Sequence, residues 1–325
     1  MGPHPAVAAV RLAVRRALAD LDPGARLLVA CSGGADSLAL LAATVFESRR
    51  PAHEVLGVTV DHGLQAGAEA HAASVVRLME GLGARACSVR VEVGRLGGPE
   101  AAARTARYDA LGSVAEEEQA DAVLLGHTLD DQAETVLLGL ARGSGARSLA
   151  GMAPVTGPYR RPLLDLSRAD TEAACRAEGL RPWADPHNDD PAYARVRVRT
   201  RVLPTLEREL GPGVAAALAR TARLLRDDAD ALDALAVRAR ERVTHAGALS
   251  VPGLLEEPPA VRRRVLRLAA LGAGCPGAEL FAVHLEAVDA LLTGWHGQAG
   301  VDLPGPVRAY RDGGSLRFRP GPVAG

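Results

Sequence analysis

Residues Cys31-Ser32-Gly33-Gly34-Ala35-Asp36-Ser37 follow directly on the apolar run Leu27-Leu28-Val29-Ala30. Two glycines between a strand-like and a helix-like segment let backbone N–H groups turn toward an anion, and the dipole of the following helix adds positive charge at the same place. A nucleotide phosphate suits such a loop. The usual P-loop sets a Lys after its glycines, and this chain of 325 residues contains no Lys. Asp36 stands in the early helix instead. A carboxylate there is productive if it holds a divalent metal that in turn holds phosphate oxygens, although Ser32 or Asp36 equally suits a helix cap. Gly126-His127 precedes a second polar group, Asp130, Asp131 and, one helical turn on, Glu134. Carboxylates sharing a helix face complete a metal site or accept a cationic amine, and the same acids also complement the dipole of a helix start. Asp61 ends another apolar run, where it caps a turn or meets a second metal or an adenosine. Arg104 and Arg107, three apart, offer guanidinium groups for phosphate where Lys is lacking.

These residues need a scaffold, and the apolar pattern supplies one. Val7, Val10, Val14, Leu18 and Leu21 recur at helical spacing ahead of the first strand. Apolar runs at Leu27–Ala30, Val55–Val60, Ala86–Val93 and Ala122–Leu125 then alternate with helix-like segments that begin near Ser37, Ala68, Glu100 and Asp131. Such alternation implies right-handed crossovers and an α/β, doubly wound, mostly parallel sheet. Ligands of such sheets bind beyond the carboxyl ends of the strands, which is where Ser32–Ser37, Asp61–Leu64 and Gly126–Glu134 fall. Gly151 to Pro191 reads as loop with one helix near Ser167 to Gly179, opened by a Ser167 cap. Beyond Gly211-Pro212-Gly213 the spacing of Leu218, Leu225, Leu232 and Leu235 predicts a long helix, with others near Ala260–Leu271 and Glu279–Leu292. A hairpin over Val301–Phe318 turns at Asp312-Gly313-Gly314. The expected division is therefore 1–212 and 213–325, the second part smaller and mainly helical.

Composition narrows the chemistry. The formal net charge is −1, so a nucleic-acid partner must be held by local patches rather than overall charge. Arginines cluster at 195–201, 220–226 and 262–267, a pattern that solvated helix faces also produce. The four cysteines, Cys31, Cys87, Cys175 and Cys275, form no C-x-x-C pair, which disfavours zinc, iron–sulfur and disulfide frameworks. Absence of Lys excludes Schiff-base chemistry by the chain itself. No apolar run reaches membrane-spanning length and no signal-peptide pattern opens the chain, so a cytoplasmic protein is expected.

Ser32-Gly33-Gly34-Ala35-Asp36-Ser37 resembles the PP-loop of the N-type ATP pyrophosphatases. Within that superfamily, Val60-Asp61-His62-Gly63-Leu64, Ala103-Arg104 through Arg107-Tyr108, Gly126-His127-Thr128-Leu129-Asp130-Asp131-Gln132-Ala133-Glu134-Thr135 and Arg142-Gly143-Ser144-Gly145 resemble the tRNA(Ile)-lysidine synthetases. So do Arg161-Pro162-Leu163-Leu164 and Asp185-Pro186-His187-Asn188 through Tyr193-Ala194-Arg195. The likeness runs from the first strand to Pro204. It implies a PP-loop catalytic domain followed by a shortened helical tRNA-binding domain, which attach free L-lysine to the wobble cytidine of the isoleucine tRNA with anticodon CAU. ATP and Mg²⁺ are the implied cofactors, AMP and pyrophosphate the co-products, and a homodimer is compatible with the resemblance. Asp36 and Asp131 are then metal ligands. Ser32, Gly33, Gly34, Ala35, Asp36, Ser37, Asp61, Arg107, Gly126 and His127 bind the nucleotide, and Asp36, Arg104, Asp130, Asp131 and Glu134 form the catalytic group. Gln65, Ala184, His187 and Val196 replace the Arg, acid, Ser and Asn common at these positions in the family. A related tRNA thiolase would need catalytic or cluster-ligating cysteines. An amidotransferase-linked ligase would need a glutaminase nucleophile, and a non-catalytic adenine-nucleotide sensor would need neither the acids nor an arginine-rich second domain.

Overall fold

The computed structural model describes residues 2–61, 63, 67–92, 94, 99–143, 145–183 and 190–321. His62, Leu64, Gln65, Ser144 and the stretch from Ala184 through Asn188, all cited above, lie outside the described residues. Packing divides the chain into two units, Met1–Arg223 and Leu224–Gly325. The division falls inside one long helix, Val214–Val243, rather than at Gly211–Gly213.

In the first unit the strands are β1 (Arg26–Ala30), β2 (Glu54–Asp61), β3 (Arg85–Arg90) and β4 (Ala122–Leu124), each within a few residues of its expected place. Two further strands, β5 (Val155–Thr156) and β6 (Tyr159–Arg160), escape a periodicity reading because two residues carry no alternation. The sheet order is β3-β2-β1-β4-β6-β5, parallel except for β5 against β6. The helices are α1 (Pro5–Ala17), α2 (Ala35–Ser48), α3 (Ala68–Gly81), α4 (Pro99–Glu117), α5 (Leu129–Ala141), α6 (Gly145–Leu149) and α7 (Arg168–Ala177).

Alternation along β1 sends Leu27 and Val29 to one face and Leu28 to the other. The first face packs on α1, α2, α3 and α7 through Val10, Leu38, Leu41, Met79 and Cys175. The second packs on α4 through Leu111, Val114 and Ala115. Thus the chain winds outward from β1 to β3 on one face, and crosses to the other face to lay β4 on the opposite side of β1. The strand order reverses between β1 and β4, and such a switch point opens a crevice between the two strand ends.

After α7 come α8 (Ala194–Arg197), a π-helical turn Val198–Val202, α9 (Leu203–Leu210) and α10 (Val214–Val243). Val198 and Leu203 pack with Ala133 of α5 and Leu218 of α10, which seats the arginine-rich turn against the acidic helix.

The second unit holds more sheet than the expected hairpin. The hairpin is present as β10 (Val307–Asp312) and β11 (Ser315–Pro320), with Asp312 opposite Ser315. β7 (Thr244–His245), β8 (Ala248–Ser250) and β9 (Val301–Leu303) extend it to the antiparallel order β7-β8-β11-β10-β9. Helices α11 (Val251–Glu256), α12 (Pro259–Gly272) and α13 (Ala282–Thr293) cover it around Leu254, Val265, Leu266, Leu291 and Leu316. The arginines of α12 are structural here. Arg262 is buried against Asp289 at 2.6 and 3.3 Å, Arg264 meets Asp233 at 2.7 Å, and Arg267 donates to the carbonyls of Gly277 and Leu280.

Candidate active site

The loop from β1 into α2 is shaped by Gly33 and by Ser37. Gly33 has φ +85°, and a Cβ there would meet Val75 Cγ2 at 2.9 Å, so both the backbone conformation and the close approach of α3 require glycine. Ser37 Oγ accepts from the Ser32 N–H at 3.2 Å and donates to the Gly34 carbonyl at 3.0 Å. These bonds fold Ser32–Ser37 into a turn at the N-terminus of α2, with Gly34 at the extended cap position. Gly126, after β4, lies so close that a Cβ would sit 3.1 Å from the Ser37 nitrogen and 3.2 Å from the Asp36 carbonyl. Two of the expected nucleotide-binding segments are thereby in contact.

A sequence-distant residue, Arg168, joins their carboxylates. Ser167 caps α7 through a capping box with Asp170, which places Arg168 at its first helical position. The Arg168 Nε lies 3.4 Å from Asp36 Oδ2 and its Nη2 3.5 Å from Asp131 Oδ1. Asp36 Oδ1 accepts a short hydrogen bond from Thr171 Oγ1. Burial raises the pKa of Asp36, and neighbouring Asp131 adds to this, while Thr171 and Arg168 oppose it. For Asp131, burial is outweighed by Arg168, the Thr128 N–H, His127 and Arg199, which hold the carboxyl below its usual range.

The acids of α5 divide their work. Asp131 Oδ2 accepts from the Thr128 N–H at 2.8 Å and so closes the helix cap; its Oδ1 faces Arg168 and, at 3.5 Å, Arg199. One side chain thus both closes the start of α5, where the sequence expects acids to complement the helix dipole, and faces two arginines. Asp130 accepts the backbone N–H of Arg168 at 2.8 Å and anchors α7. Glu134 has a fully inaccessible side chain, and both its oxygens accept from Arg199, Nε at 2.7 Å and Nη2 at 3.1 Å, with Arg195 Nη1 at 3.6 Å. Burial pushes Glu134 upward against the pull of Arg199.

His127 is partly buried, and its Nδ1 has no hydrogen-bond partner among the described residues. Burial, with Arg161, Arg104 and Arg195 nearby and Asp131 opposing, brings its pKa down to about 4. Arg104 is exposed on α4, lies over the Tyr108 ring and reaches its hydroxyl at 3.3 Å, as Arg161 does at 3.4 Å. Arg107 is exposed on the same helix. Asp61 accepts from the Gly63 N–H at 2.8 Å, the turn-capping arrangement at the end of β2. A further contact binds the loop before residue 184 to the Ser32–Ser37 loop: the Trp183 N–H donates to the Gly33 carbonyl at 2.9 Å, and its ring lies 3.6 Å from that of His71.

Asp36, Asp131, Glu134, Gly126 and His127 are thus brought together. Arg168, Thr171, Arg195 and Arg199, which complete the cluster, were not singled out from the sequence as site residues. The signals for them were the Ser167 cap, which sets Arg168 at a helix start, and the i, i+4 spacing of Arg195 and Arg199.

Among the described residues no three His, Cys, Asp or Glu side chains converge to hold a metal alone. Two carboxylates that already share one guanidinium do fit a divalent cation whose remaining ligands are phosphate oxygens and water, the usual habit of Mg²⁺. The nearby thiols do not suit redox or cluster chemistry: Cys31 and Cys175 are buried, and burial, followed by Asp36, pushes Cys175 up to about 11.

A PP-loop domain model matches residues 9–206 and a TilS substrate-binding domain model residues 249–313. A tRNA(Ile)-lysidine synthase of Thermobifida fusca is 58% identical over 97% of this chain and 98% of its own length. Another, from Streptomyces coelicolor, is 54% identical over 99% of this chain and 100% of its own length. Among solved structures, the U34-tRNA thiolase NcsA of Methanococcus maripaludis covers 68% of this chain and 80% of its own, with a TM-score of 0.58 and 20% identity, a likeness of fold. The chain belongs to the tRNA(Ile)-lysidine synthase family of PP-loop proteins.

Proposed function

We propose that this enzyme uses ATP to join the ε-amine of free L-lysine to C2 of the wobble cytidine in the isoleucine tRNA with anticodon CAU, acting in the cytoplasm. The C2 oxygen of the cytosine attacks the α-phosphorus of ATP and pyrophosphate leaves. The lysine amine then attacks C2, AMP departs with that oxygen, and the amine surrenders its proton. The observation that carries this reading is the meeting of a glycine-shaped anion loop, Ser32–Ser37, with a buried acidic group on α5 at one switch point of the sheet.

The backbone N–H groups at the start of α2 face the departing pyrophosphate, with the helix dipole adding to them. Asp36 and Asp131 would hold a Mg²⁺ ion, which would supply neutralisation of phosphate charge. Arg104 and Arg107 on α4 meet further phosphate. Gly126 admits the nucleotide by keeping the end of β4 close to α2, and His127, neutral at physiological pH, offers an uncharged ring nitrogen where a cation would compete with the metal. Glu134 and Asp131 receive the cationic lysine. A carboxylate whose proton affinity burial has raised, as at Glu134, is suited to take the amine's proton before attack. Asp130 holds α7, and through it Arg168, in register with the acids.

The test is incorporation of radiolabelled L-lysine into a tRNA transcript bearing CAU. One AMP per lysine incorporated is expected, with none on a transcript whose wobble base is U. Incorporation of sulfur in place of lysine, or ATP binding without turnover, would favour the thiolase or sensor readings.

A further inference from the structure

The acidic pocket proposed above for lysine already contains a cation. Glu134 has no accessible side-chain surface, and both of its oxygens are taken by Arg199, which also reaches Asp131 at 3.5 Å. Arg199 itself is not sealed: a quarter of its side chain is exposed, as is 27% of Arg195. A ligand therefore cannot touch Glu134 until Arg199 moves, whereas an anion arriving from solvent can touch Arg199 directly.

The segment that carries Arg199 is built for such a partner. Arg195 and Arg199 point at the carboxylates while Arg197 and Arg201, between and beyond them, are exposed. Val196 and Val198 anchor the segment below. Its second half is the π-helical turn Val198–Val202, a winding that recurs at functional sites and departs from the more common α-helical repeat. A phosphodiester, like a carboxylate, presents the paired oxygens that a guanidinium recognises through two N–H bonds, and it is the anion that a tRNA brings.

We propose that Arg199 occupies the seat of the lysine ammonium in the tRNA-free enzyme and surrenders it when a tRNA phosphate draws its guanidinium away, so that lysine enters Glu134 after tRNA has bound. The inference rests on the reading of Glu134 as the lysine seat. Binding of the two substrates is then coupled, and such coupling is reciprocal: whatever factor tRNA adds to lysine affinity, lysine adds to tRNA affinity.

Calorimetric titration of the full-length protein with L-lysine, with α,β-methylene ATP present and with or without the CAU transcript, measures the coupling. The wild type is expected to bind lysine at least about tenfold more tightly with tRNA than without, and lysine to tighten tRNA by the same factor. Arg199→Met should bind lysine without tRNA within about threefold of the tRNA-loaded wild type, and show no coupling in either direction. A tRNA-free Arg199→Met protein that binds lysine no more tightly than the wild type overturns the proposal, as does equal coupling in both proteins. Should Arg199→Met fail to fold, Arg199→Lys, which keeps the charge but loses the paired geometry, is expected to show reduced coupling, and unchanged coupling there overturns the proposal too. Glu134→Gln separates the two readings. If it leaves lysine affinity intact in the tRNA-loaded protein, Glu134 is not the seat and the site assignment fails; if it abolishes lysine binding while Arg199→Met leaves coupling unchanged, only the exchange fails.

Discussion

Arginine meets carboxylate by a paired contact in both units, at Arg199–Glu134 and at Arg262–Asp289, and the surroundings of the two pairs differ. Arg262 and Asp289 are both nearly sealed, at 9% and 8% side-chain exposure, in the interior of the second unit. Arg199 keeps a quarter of its side chain at the surface and is one of three arginines, with Arg168 and Arg195, distributed over Asp36, Asp131 and Glu134. Sealed from water, Arg262 has the Glu257 carbonyl at 3.3 Å but no second carboxylate among the described residues, although Asp289 is also met by the half-exposed Arg263 at 3.5 Å. An arginine with one side in water and a choice of carboxylates can be exchanged, so the same contact fixes structure in one region and leaves a site adjustable in the other.

The sharpest way to break this comparison is to remove the acid from each pair. Asp289→Ala leaves a buried guanidinium with, among the described residues, only the Glu257 carbonyl at 3.3 Å to receive it and is expected to destabilise the second unit by about 3–5 kcal/mol. Glu134→Ala leaves Arg199 near Asp131 and open to water, and about 1–2 kcal/mol is expected. Urea unfolding of both variants reads the difference, and equal losses would show that exposure of the arginine does not matter.

A smaller effect tests the polarity of the site. Folding holds His127 near 4, below its ordinary value of 6.5, so between these values the unfolded chain binds a proton that the folded chain does not. The stability this residue secures is complete above pH 6.5 and is lost as pH falls toward 4, on the order of 3 kcal/mol. His127→Gln should therefore flatten the acid limb of stability between pH 7 and 4.5, measured by denaturant titration. An unchanged limb would place the imidazole in water.

Most of the scaffold was legible because long elements announce themselves. The four longer strands of the first unit, α2 with its glycine turn and α5 with its acids were all visible in apolar spacing, and the switch point followed from their order. The partners of the acids were not visible. Arg168 lies 132 residues from Asp36 and Arg199 lies 65 from Glu134, and periodicity reveals which face a residue occupies but not what lies opposite it. The arginine run 262–267 is the converse case: clustering allows a local patch or a solvated face, whereas Arg262, Arg264 and Arg267 are taken up by Asp289, Asp233 and backbone carbonyls. Strands of two residues, such as β5 and β7, are too short to carry an alternating signal, and the three-residue β8 lacks the wholly apolar run Ala122–Leu125 that marks the equally short β4, which is why the second unit read as mainly helical.

The central claim, that the switch point of this sheet cleaves ATP through Asp36, is tested most directly by AMP formation in Asp36→Ala with the CAU transcript, alongside filter binding of the same transcript. The account predicts a loss of AMP formation by at least about a hundredfold with tRNA retained at near wild-type affinity. AMP formation at the wild-type rate would contradict it.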